Sequence, residues 1–372
     1  MTLSKSTKGW LSQSYMIPRT SWHIFCSTLC GQRLKRSHNT PPYCPARSHC
    51  AFSGYPIMKT VPIVMSLDKA YVIPAIATIR SVLDSVSDKS CIPFVIFHKE
   101  LDPFTIKVVT SLVNDAGGTI TFTNVQHHFA DYRLSAEEMY YALLIPSMMT
   151  DYEFVFFLDA DLIVTGDILS LIHEMPKDKK IGAVRCFFRN TILPDDSPAE
   201  LHTHTLKTGL TDTRRYFNAG LMLFNMKNIT QWDINRGFQL IKKHWTGHAE
   251  SILNVVFHES VHFFSTRWNF AMTFVFEMAM PFQPDVQDDI DESRKNIQVQ
   301  HFLYVSKPWH KYHYQLLAVA GCPELTQYLQ NYKQILRTTM NDVSNRAARF
   351  VYGPSWQATK AYLNPEETLQ LP

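Results

Sequence analysis

Short apolar runs alternate with longer amphipathic stretches along residues 61–158. The short runs predict buried strands at Val61–Met65, Ile92–Phe97, Thr119–Val125 and Glu153–Leu158. The stretches between them repeat apolar residues at helical spacing and predict helices at Ile73–Val86, Pro103–Ala116 and Glu137–Met149. This alternation predicts an α/β fold with a mainly parallel sheet flanked by helices. Ligands of such sheets bind beyond the carboxyl ends of the strands.

The two ends of the chain differ in pattern from this central region. Residues 1–57 lack hydrophobic periodicity, which is typical of an organellar transit segment or of sequence upstream of a true start at Met58. At the other end, residues 323–336 repeat apolar residues every three or four positions. We therefore expect a basic extension over 1–57, the main α/β domain over 58–310 and a helical tail over 311–372.

Composition and charge exclude several classes of protein. Hydrophobic residues make up 45% of the chain, which is enough for a sizeable core. Residues 1–57 hold seven Lys and Arg and no acidic residue, so the remaining 29 basic and 33 acidic residues give the body a net charge of −4. We therefore expect no nucleic-acid partner. No run reaches the roughly 18 apolar residues of a membrane span. A cytoplasmic protein is expected, with organellar targeting as the alternative if the extension is genuine.

The strongest chemical signal is a pair of aspartates after the most apolar strand. Phe154-Val-Phe-Phe-Leu is followed directly by Asp159-Ala-Asp161. Residues i and i+2 of an extended chain point to the same side, and two close carboxylates repel each other unless a cation lies between them. Hard oxygen ligands suit Mg²⁺ or Mn²⁺. The pair predicts a divalent metal site, although an isolated Asp-x-Asp is more often a turn cap beside a solvated carboxylate.

Two further elements end in residues suited to binding. In Tyr216-Phe-Asn218-Ala-Gly220, the small residues allow a ligand to approach the backbone, and the asparagine offers a donor and an acceptor. In the second element, His301 follows the apolar run beginning at Ile297 and precedes Lys307 by six residues. Such a pair can supply a metal ligand and a phosphate-binding cation. Taken alone, such elements are more often a tight turn and a structural histidine.

Together these elements resemble family 8 glycosyltransferases. The likeness runs from about Val61 to about His310, includes Ser265-Thr-Arg-Trp-Asn-Phe270, and is nearest to the bacterial retaining galactosyl- and glucosyltransferases that build lipopolysaccharide. The resemblance implies a GT-A fold, a UDP-sugar donor and Mn²⁺, with Mg²⁺ as the other candidate. It also implies a glycan or glycolipid acceptor and transfer of a hexose, galactose or glucose, with retention of configuration.

The resemblance assigns roles by position. Asp68 and Tyr71 would bind and stack on the uracil, and Lys307 would contact the departing phosphate. The metal ligands would be Asp159, Asp161 and His301. The remaining donor contacts would come from Ala160, Asn218, Ala219 and Gly220. A cation beside the diphosphate neutralises the charge that develops on the leaving group.

Several positions depart from the family pattern, and they cluster around the sugar. They are Ala142 where the family has Arg, Cys186 where it has Asp, Ala249 and Ser251 flanking Glu250 where it often has Asp-Gln-Asp, and Tyr304 where it has Gly. A different sugar or acceptor, or lost catalysis with retained binding, would each explain this. The donor sugar is therefore not identified by the sequence.

Glu250 is the candidate catalytic carboxylate, and Asn218, the donor-sugar contact that the resemblance implies, is the second catalytic candidate. By the resemblance, Glu250 falls at or next to the family position that faces the β side of the anomeric carbon. A carboxylate there could stabilise an oxocarbenium-like transition state or form a covalent intermediate. A solvated Glu in the first turn of a helix, favoured by the helix dipole, explains the residue equally well.

Three alternatives remain open. The chain could be a GT-A protein that binds UDP and metal but has weak or lost transfer activity. It could instead be a haloacid-dehalogenase-type phosphatase, in which Asp288 and Asp289 would form the later acidic pair. Finally, Arg346, Arg349 and nearby aromatic residues could make peripheral contact with the inner face of an anionic membrane.

Overall fold

The structure is a computed structural model of the 372-residue chain. The residues that it describes are 60–132, 134, 136–190, 210, 215–242, 249–272, 282, 284–303 and 323–353. The predicted extension over 1–57, Lys307 and Tyr304 lie outside these residues, as does part of the predicted tail.

Two sheets account for the strands of the described residues. The strands are β1 Ile63–Leu67, β2 Phe94–His98, β3 Ile120–Asn124, β4 Phe154–Leu158, β5 Leu162–Val164, β6 Ile181–Arg185, β7 Phe217–Asn225, β8 Val261–Phe264, β9 Phe270–Ala271 and β10 Val299–His301. The larger sheet has the order β3-β2-β1-β4-β7-β6-β8, and only β7 runs antiparallel to its neighbours. The predicted α/β class with a mainly parallel sheet is confirmed.

Eight α-helices accompany the strands in the described part of the chain. They are α1 Val72–Ser85, α2 Pro103–Asp115, α3 Ile145–Met148, α4 Ser170–Glu174, α5 Gln231–Lys242, α6 Ala249–Phe257, α7 Pro284–Ser293 and α8 Pro323–Tyr352. The start of α2 follows from the sequence, because Pro103 occupies its first turn and Asp102 caps it by accepting from the Thr105 N–H at 2.9 Å. No described helix combines the length and the hydrophobicity needed to cross a bilayer.

The helix predicted at Glu137–Met149 is divided in the structure. A 3₁₀ helix spans Glu137–Leu144, and the short helix α3 follows it. Pro146 is the physical reason for the change, because it has no N–H to donate to the carbonyl of Ala142 and its ring disfavours a continuous α-helix. Proline is tolerated in a first turn, which is where α3 places it.

Helix α8 packs onto the outer side of α1 and α2. Its buried residues Leu325, Leu329 and Tyr332 join the same hydrophobic cluster as the inner faces of α1, β1 and β4. Tyr332 also stacks on Phe302, immediately after β10, with ring centroids 4.3 Å apart. The helix therefore completes the core beneath the end of β10.

Candidate metal and donor site

Asp159 and Asp161 lie at the carboxyl end of β4, as predicted. Leu158 pairs with Leu221 of the antiparallel strand β7, and the Asp159 N–H then donates to the Gly220 carbonyl at 2.9 Å. The Asp161 side chain is only 6% exposed, whereas that of Asp159 is 41% exposed. The carboxylate pair therefore has one buried member and one that faces solvent.

A buried hydroxyl supports the turn that carries the two aspartates, together with the Phe302 N–H, which donates to the Asp161 carbonyl at 3.2 Å. Thr78, in the middle of α1, shares its one hydroxyl hydrogen between the carbonyls of Ala160 at 2.9 Å and Leu162 at 2.8 Å, and accepts from the Leu162 N–H at 3.2 Å. These contacts satisfy backbone groups that the turn would otherwise leave unpaired away from water. Thr78 thus fixes the backbone between the two carboxylates.

The small sheet brings His301 to this pair across 140 positions of sequence. Strand β10 runs antiparallel to β5, so that His301 lies opposite Leu162, the residue after Asp161. The His301 Nε2 atom is 3.3 Å from Asp161 Oδ1 and 3.6 Å from Asp159 Oδ2. One ligand atom from each residue lies within 4.8 Å of the others. The structure therefore brings the three predicted metal ligands together.

The surroundings of His301 fit a bound divalent cation. Its side chain is fully buried, and Nε2 has no hydrogen-bond partner among the described residues. A buried polar atom without a partner is costly unless a ligand satisfies it. Gly220 makes the position accessible, because a Cβ there would lie 2.3 Å from Cε1 of the His301 ring. One imidazole and two carboxylates form a donor set suited to Mn²⁺ or Mg²⁺.

Strand β7 presents Asn218, Ala219 and Gly220 beside the carboxylates. Its pairing with β6 shifts register, since Ala183 lies opposite Met222 and Val184 opposite Asn218. Irregular pairing of this kind is common beside active sites, because it redirects the side chains of the strand. In this strand the side chain of Asn218 donates to Glu250 Oε2 at 2.8 Å.

Glu250 lies against this irregular segment of β7. The same Oε2 atom accepts from the Ala219 N–H at 3.0 Å, and Asn254, one turn later on α6, bonds both the N–H and the carbonyl of Phe217. Burial is the main cause that raises the pKa of the Glu250 carboxyl to about 7. The bond from the Ala219 N–H opposes this shift, and the charge of Asp159 adds to it. The carboxylate is thus within electrostatic reach of the predicted metal site.

Four of the residues that depart from the family pattern make their side-chain contacts within the protein. Ala142 and Ala249 pack in the core beside β4, and Cys186 packs with Leu210 and Tyr216. Ser251 is hydrogen-bonded to the Tyr216 hydroxyl at 2.7 Å. These four side chains are therefore used for packing. Tyr304, the fifth departing residue, is not described.

Asp68 and Tyr71, predicted to bind the nucleobase, lie between β1 and α1. Asp68 accepts from the Tyr71 N–H at 3.0 Å and so caps the 3₁₀ helix Lys69–Tyr71. Burial raises the pKa of the Asp68 carboxyl. Both residues are partly exposed at the same strand-end edge as the aspartate pair. Lys307, the predicted phosphate contact, lies outside the described residues.

Three residues of the site were not singled out from the sequence. Thr78 carries no motif, and its role requires the packing of α1 against the aspartate turn. Tyr332 lies on α8, far along the chain. Its pKa is raised mainly by burial and in addition by electrostatic interaction with Asp161 and Tyr71. Asn269 accepts or donates at His301 Nδ1 over 2.7 Å, and its place in the Ser265–Phe270 motif is the one signal that pointed to it.

The sequence matches glycosyl transferase family 8 over residues 62–313. General stress protein A of Bacillus subtilis (strain 168) is 24% identical over 199 residues, which are 50% of this chain and 64% of that protein. Glycosyltransferase GlyF of Streptococcus pneumoniae serotype 4 is 30% identical over 125 residues, 33% of this chain and 31% of that protein. The chain thus spans less than two thirds of the length of each of these relatives.

Solved structures show the same fold at low sequence identity. The bifunctional glycosyltransferase WbbM in its apo form has a TM-score of 0.58 and 20% identity, covering 73% of this chain and 51% of that one. The galactosyltransferase LgtC, solved with donor and acceptor sugar analogues, has a TM-score of 0.57 and 23% identity, covering 72% and 100%. These likenesses establish a GT-A fold. Since the family match covers more than half of the sequence, this chain belongs to glycosyl transferase family 8.

Proposed function

We propose that this chain is a metal-dependent retaining glycosyltransferase. It would move a hexose, galactose or glucose, from a UDP-sugar to a glycan or glycolipid acceptor such as lipopolysaccharide. The observation that carries the proposal is the buried, unpartnered Nε2 atom of His301 facing Asp159 and Asp161 at the open end of β4. Family membership supplies the reaction class.

In this proposal Asp159, Asp161 and His301 hold Mn²⁺, or Mg²⁺ in its place. When bound, such a cation would supply positive charge to neutralise the diphosphate leaving group. Asp159 is the more exposed ligand and faces the incoming diphosphate. Asp68 and Tyr71 bind the uracil, and Lys307 adds a second positive charge to the leaving group.

The sugar would lie against β7 and α6. The side chain of Asn218 and the backbone of Ala160, Ala219 and Gly220 would contact it, since Ala160 lies between the two aspartates and Asn218 bonds the Gly220 N–H. Glu250 is the acidic group on this side, held by Asn218 and the Ala219 N–H. Its carboxylate stabilises positive charge at the anomeric carbon, either through space or by forming a covalent glycosyl intermediate.

The test is a screen of UDP-sugar hydrolysis by the full-length chain. Purified protein is incubated with UDP-galactose, UDP-glucose or other UDP-hexoses, with Mn²⁺, Mg²⁺ or EDTA, and released UDP is measured by chromatography. We expect one donor to be cleaved with Mn²⁺ and none with EDTA. The anomer of the first sugar released, read by proton NMR, tests retention. Cleavage that persists in EDTA would overturn the metal dependence.

A second candidate is a family member that binds UDP and metal without transfer. The observation that favours it is the burial of Ala142, Cys186 and Ser251 within the protein, which leaves fewer polar groups for a sugar. Calorimetry of UDP binding with and without Mn²⁺, beside the hydrolysis screen, separates the two candidates. Metal-dependent UDP binding with no hydrolysis and no transfer to glycan or glycolipid extracts would support the second.

The phosphatase alternative finds no support in the acidic pair that motivated it. Asp289 accepts from the Ser265 hydroxyl at 2.7 Å and the Thr266 N–H at 2.8 Å, so it caps the 3₁₀ helix that begins at Thr266. Asp288 is exposed, and neither residue is part of the three-ligand cluster in the described chain. Release of phosphate from a phosphomonoester without nucleotide would revive this alternative.

We also propose that the far end of α8 makes peripheral contact with an anionic membrane on the cytoplasmic side. Phe350 and Tyr352 are exposed there, next to Arg349. Arg346, by contrast, bonds Ser111 at 2.7 Å and pairs with Asp115, so it serves packing within the protein. Sedimentation with vesicles containing 30% anionic lipid, compared with neutral vesicles, tests this contact; equal recovery with both would oppose it.

A further inference from the structure

A continuous chain of hydrogen bonds joins the predicted metal ligand to the predicted catalytic carboxylate. His301 Nδ1 lies 2.7 Å from Asn269 Oδ1, and Asn269 Nδ2 donates to Asn218 Oδ1 at 2.8 Å. Asn218 Nδ2 then donates to Glu250 Oε2 at 2.8 Å. All four side chains are buried or half-buried, and two of them, His301 and Asn269, are at most 2% exposed.

Two backbone N–H groups fix the direction of every bond in this chain. A backbone N–H can only donate, and that of Gly220 donates to Asn218 Oδ1 at 3.0 Å while that of Ala219 donates to Glu250 Oε2. Asn218 must therefore turn its oxygen toward Gly220 and its amide nitrogen toward Glu250. A reversed amide would place two donors against each other at Gly220.

The orientation of Asn218 then determines that of Asn269. Because Asn218 offers an oxygen, Asn269 presents its NH₂ group to it and its own oxygen to His301. An amide oxygen accepts only, so the Nδ1 atom of His301 carries the proton in that bond. In neutral imidazole the lone pair is consequently on Nε2, the atom that faces Asp159 and Asp161.

We propose that Asn269 is a positioning residue that fixes the metal-binding tautomer of His301 and couples it, through Asn218, to the position of Glu250. Metal-bound histidines commonly donate their second N–H to a partner that sets ring orientation and ligand basicity. Here that partner has a second function, because its NH₂ group also holds the oxygen of Asn218. The inference rests on the proposed function for its metal, but the tautomer itself is a property of the protein alone.

Two substitutions separate the two ends of Asn269. Asn269→Ala removes both bonds. Asn269→Asp keeps an acceptor for His301 Nδ1 but places a carboxylate oxygen against Asn218 Oδ1, where no donor remains. Asn225→Ala is the matched control. Asn225 is a buried asparagine at the end of β7 that is far from Asn218, and it donates to the Lys179 carbonyl.

The first measurement is the tautomer of His301 in metal-free protein. The full-length chain is labelled with ¹⁵N-histidine, His301 is assigned by difference against His301→Gln, and long-range ¹H–¹⁵N spectra report which ring nitrogen carries the proton. We expect the Nδ1–H pattern in wild type, Asn225→Ala and Asn269→Asp, and a mixed pattern in Asn269→Ala. An Nε2–H pattern in wild type, or the wild-type pattern in Asn269→Ala, would overturn the inference.

The second measurement is the affinity for Mn²⁺ in the presence of UDP, followed by the Mn²⁺ electron paramagnetic resonance signal. We expect a loss of about 10- to 100-fold for Asn269→Ala and a loss of less than about threefold for Asn269→Asp, since its acceptor is retained. Asn269→Asp should instead raise the KM for the UDP-sugar. If Asn269→Ala does not fold, the spectra of wild type and Asn269→Asp still test the positioning role, because an Nε2–H pattern in either protein would contradict it.

The two proposals fail in different ways. If wild type shows the Nδ1–H pattern, Asn269→Ala loses it and neither binds Mn²⁺, the positioning role stands and the metal-dependent function fails. If Mn²⁺ binds tightly to wild type and equally to Asn269→Ala, the proposed function stands and the positioning role fails.

Discussion

The metal half and the sugar half of the site are built differently. In the metal half, each predicted ligand is fixed by an independent contact: Asp159 through the β4–β7 ladder, Asp161 through the turn held by Thr78, and His301 through Asn269. In the sugar half, the departing positions Ala142, Cys186 and Ser251 are turned into the protein. Glu250 is left as the acidic group held there by Asn218 and the Ala219 N–H.

This difference suggests where specificity can change without loss of the fold. The ligands of a cation must meet at one point, so each needs contacts that hold it in place. Here those contacts come from both sheets and from α1. A sugar is recognised by hydrogen bonds that can come from several directions, and exchanging an inward-facing side chain there alters the pocket without affecting the metal. We therefore expect substitutions outside the Asn269–Asn218 link, which joins the two halves, to have separable effects on metal affinity and on turnover.

Asp161→Asn should have the largest effect. It removes the charge of the buried ligand, so the site loses half of its formal negative charge while the shape of the side chain is kept. We expect metal-dependent UDP-sugar cleavage to fall about 1000-fold, in the range seen when one group that stabilises developing charge is removed. The assay is release of UDP with saturating Mn²⁺.

Asp288→Asn is the control for this change, because Asp288 is an exposed carboxylate on α7 outside the cluster. It should cleave the donor at the wild-type rate. Wild-type cleavage by Asp161→Asn would show that the aspartate pair does not carry the metal.

Glu250→Gln should affect the sugar half alone. The amide oxygen of glutamine can still accept from Asn218 and the Ala219 N–H, so the geometry is kept while the charge is lost. We expect the rate of cleavage to fall about 100-fold, with Mn²⁺ and UDP affinity unchanged by calorimetry. Cleavage at the wild-type rate would remove Glu250 from the chemistry.

The pH profile of Glu250→Gln sharpens the same comparison. Because the pKa of Glu250 is raised to about 7, its carboxylate form is lost as pH falls through 7. Wild-type activity should therefore rise toward pH 7 and level off above it, and the variant should lack this limb. The charge of Asp159 contributes to the shift, so saturating Mn²⁺ should move the limb to lower pH.

In thermal unfolding, the variant should gain stability relative to wild type between pH 4.5 and 7, because folding disfavours the charged Glu250.

Gly220→Ala should affect the metal half with a smaller loss. The added Cβ would lie 2.3 Å from His301 Cε1 and 2.9 Å from Asn218 Oδ1, so the imidazole has to move. We expect about a tenfold loss of Mn²⁺ affinity in calorimetry, comparable to the loss of a group that orients a ligand. Gly237→Ala is the control. Gly237 lies in α5, and an added Cβ there would contact only the Leu143 side chain, at 3.5 Å. This variant should bind Mn²⁺ with wild-type affinity. Equal affinity in both variants would contradict the close packing of His301.

The sequence predicted the elements of the fold well where local pattern decides them. The four strands and two of the three helices predicted before residue 160 agree with the structure to within two residues at each end. The third failed at Pro146. Asp159, Asp161 and His301 were also predicted as one site, because the resemblance to family 8 glycosyltransferases groups them. The contacts that orient them were not predicted, because Thr78, Asn269 and Tyr332 reach the site through pairings between distant segments.

Thr78→Val should have the smallest effect on activity and a clear effect on stability. Valine has the shape of threonine but leaves the carbonyls of Ala160 and Leu162 and the Leu162 N–H without their buried partner. A buried polar group left unsatisfied costs about 1–3 kcal/mol, which urea denaturation at fixed pH measures. Mn²⁺ affinity should fall only a few-fold, since the β4–β7 ladder still holds Asp159. Ser85→Ala is the control, because its partly exposed hydroxyl bonds only carbonyls of its own helix. If Thr78→Val unfolds at the same urea concentration as Ser85→Ala, the turn is held by packing and not by the hydroxyl.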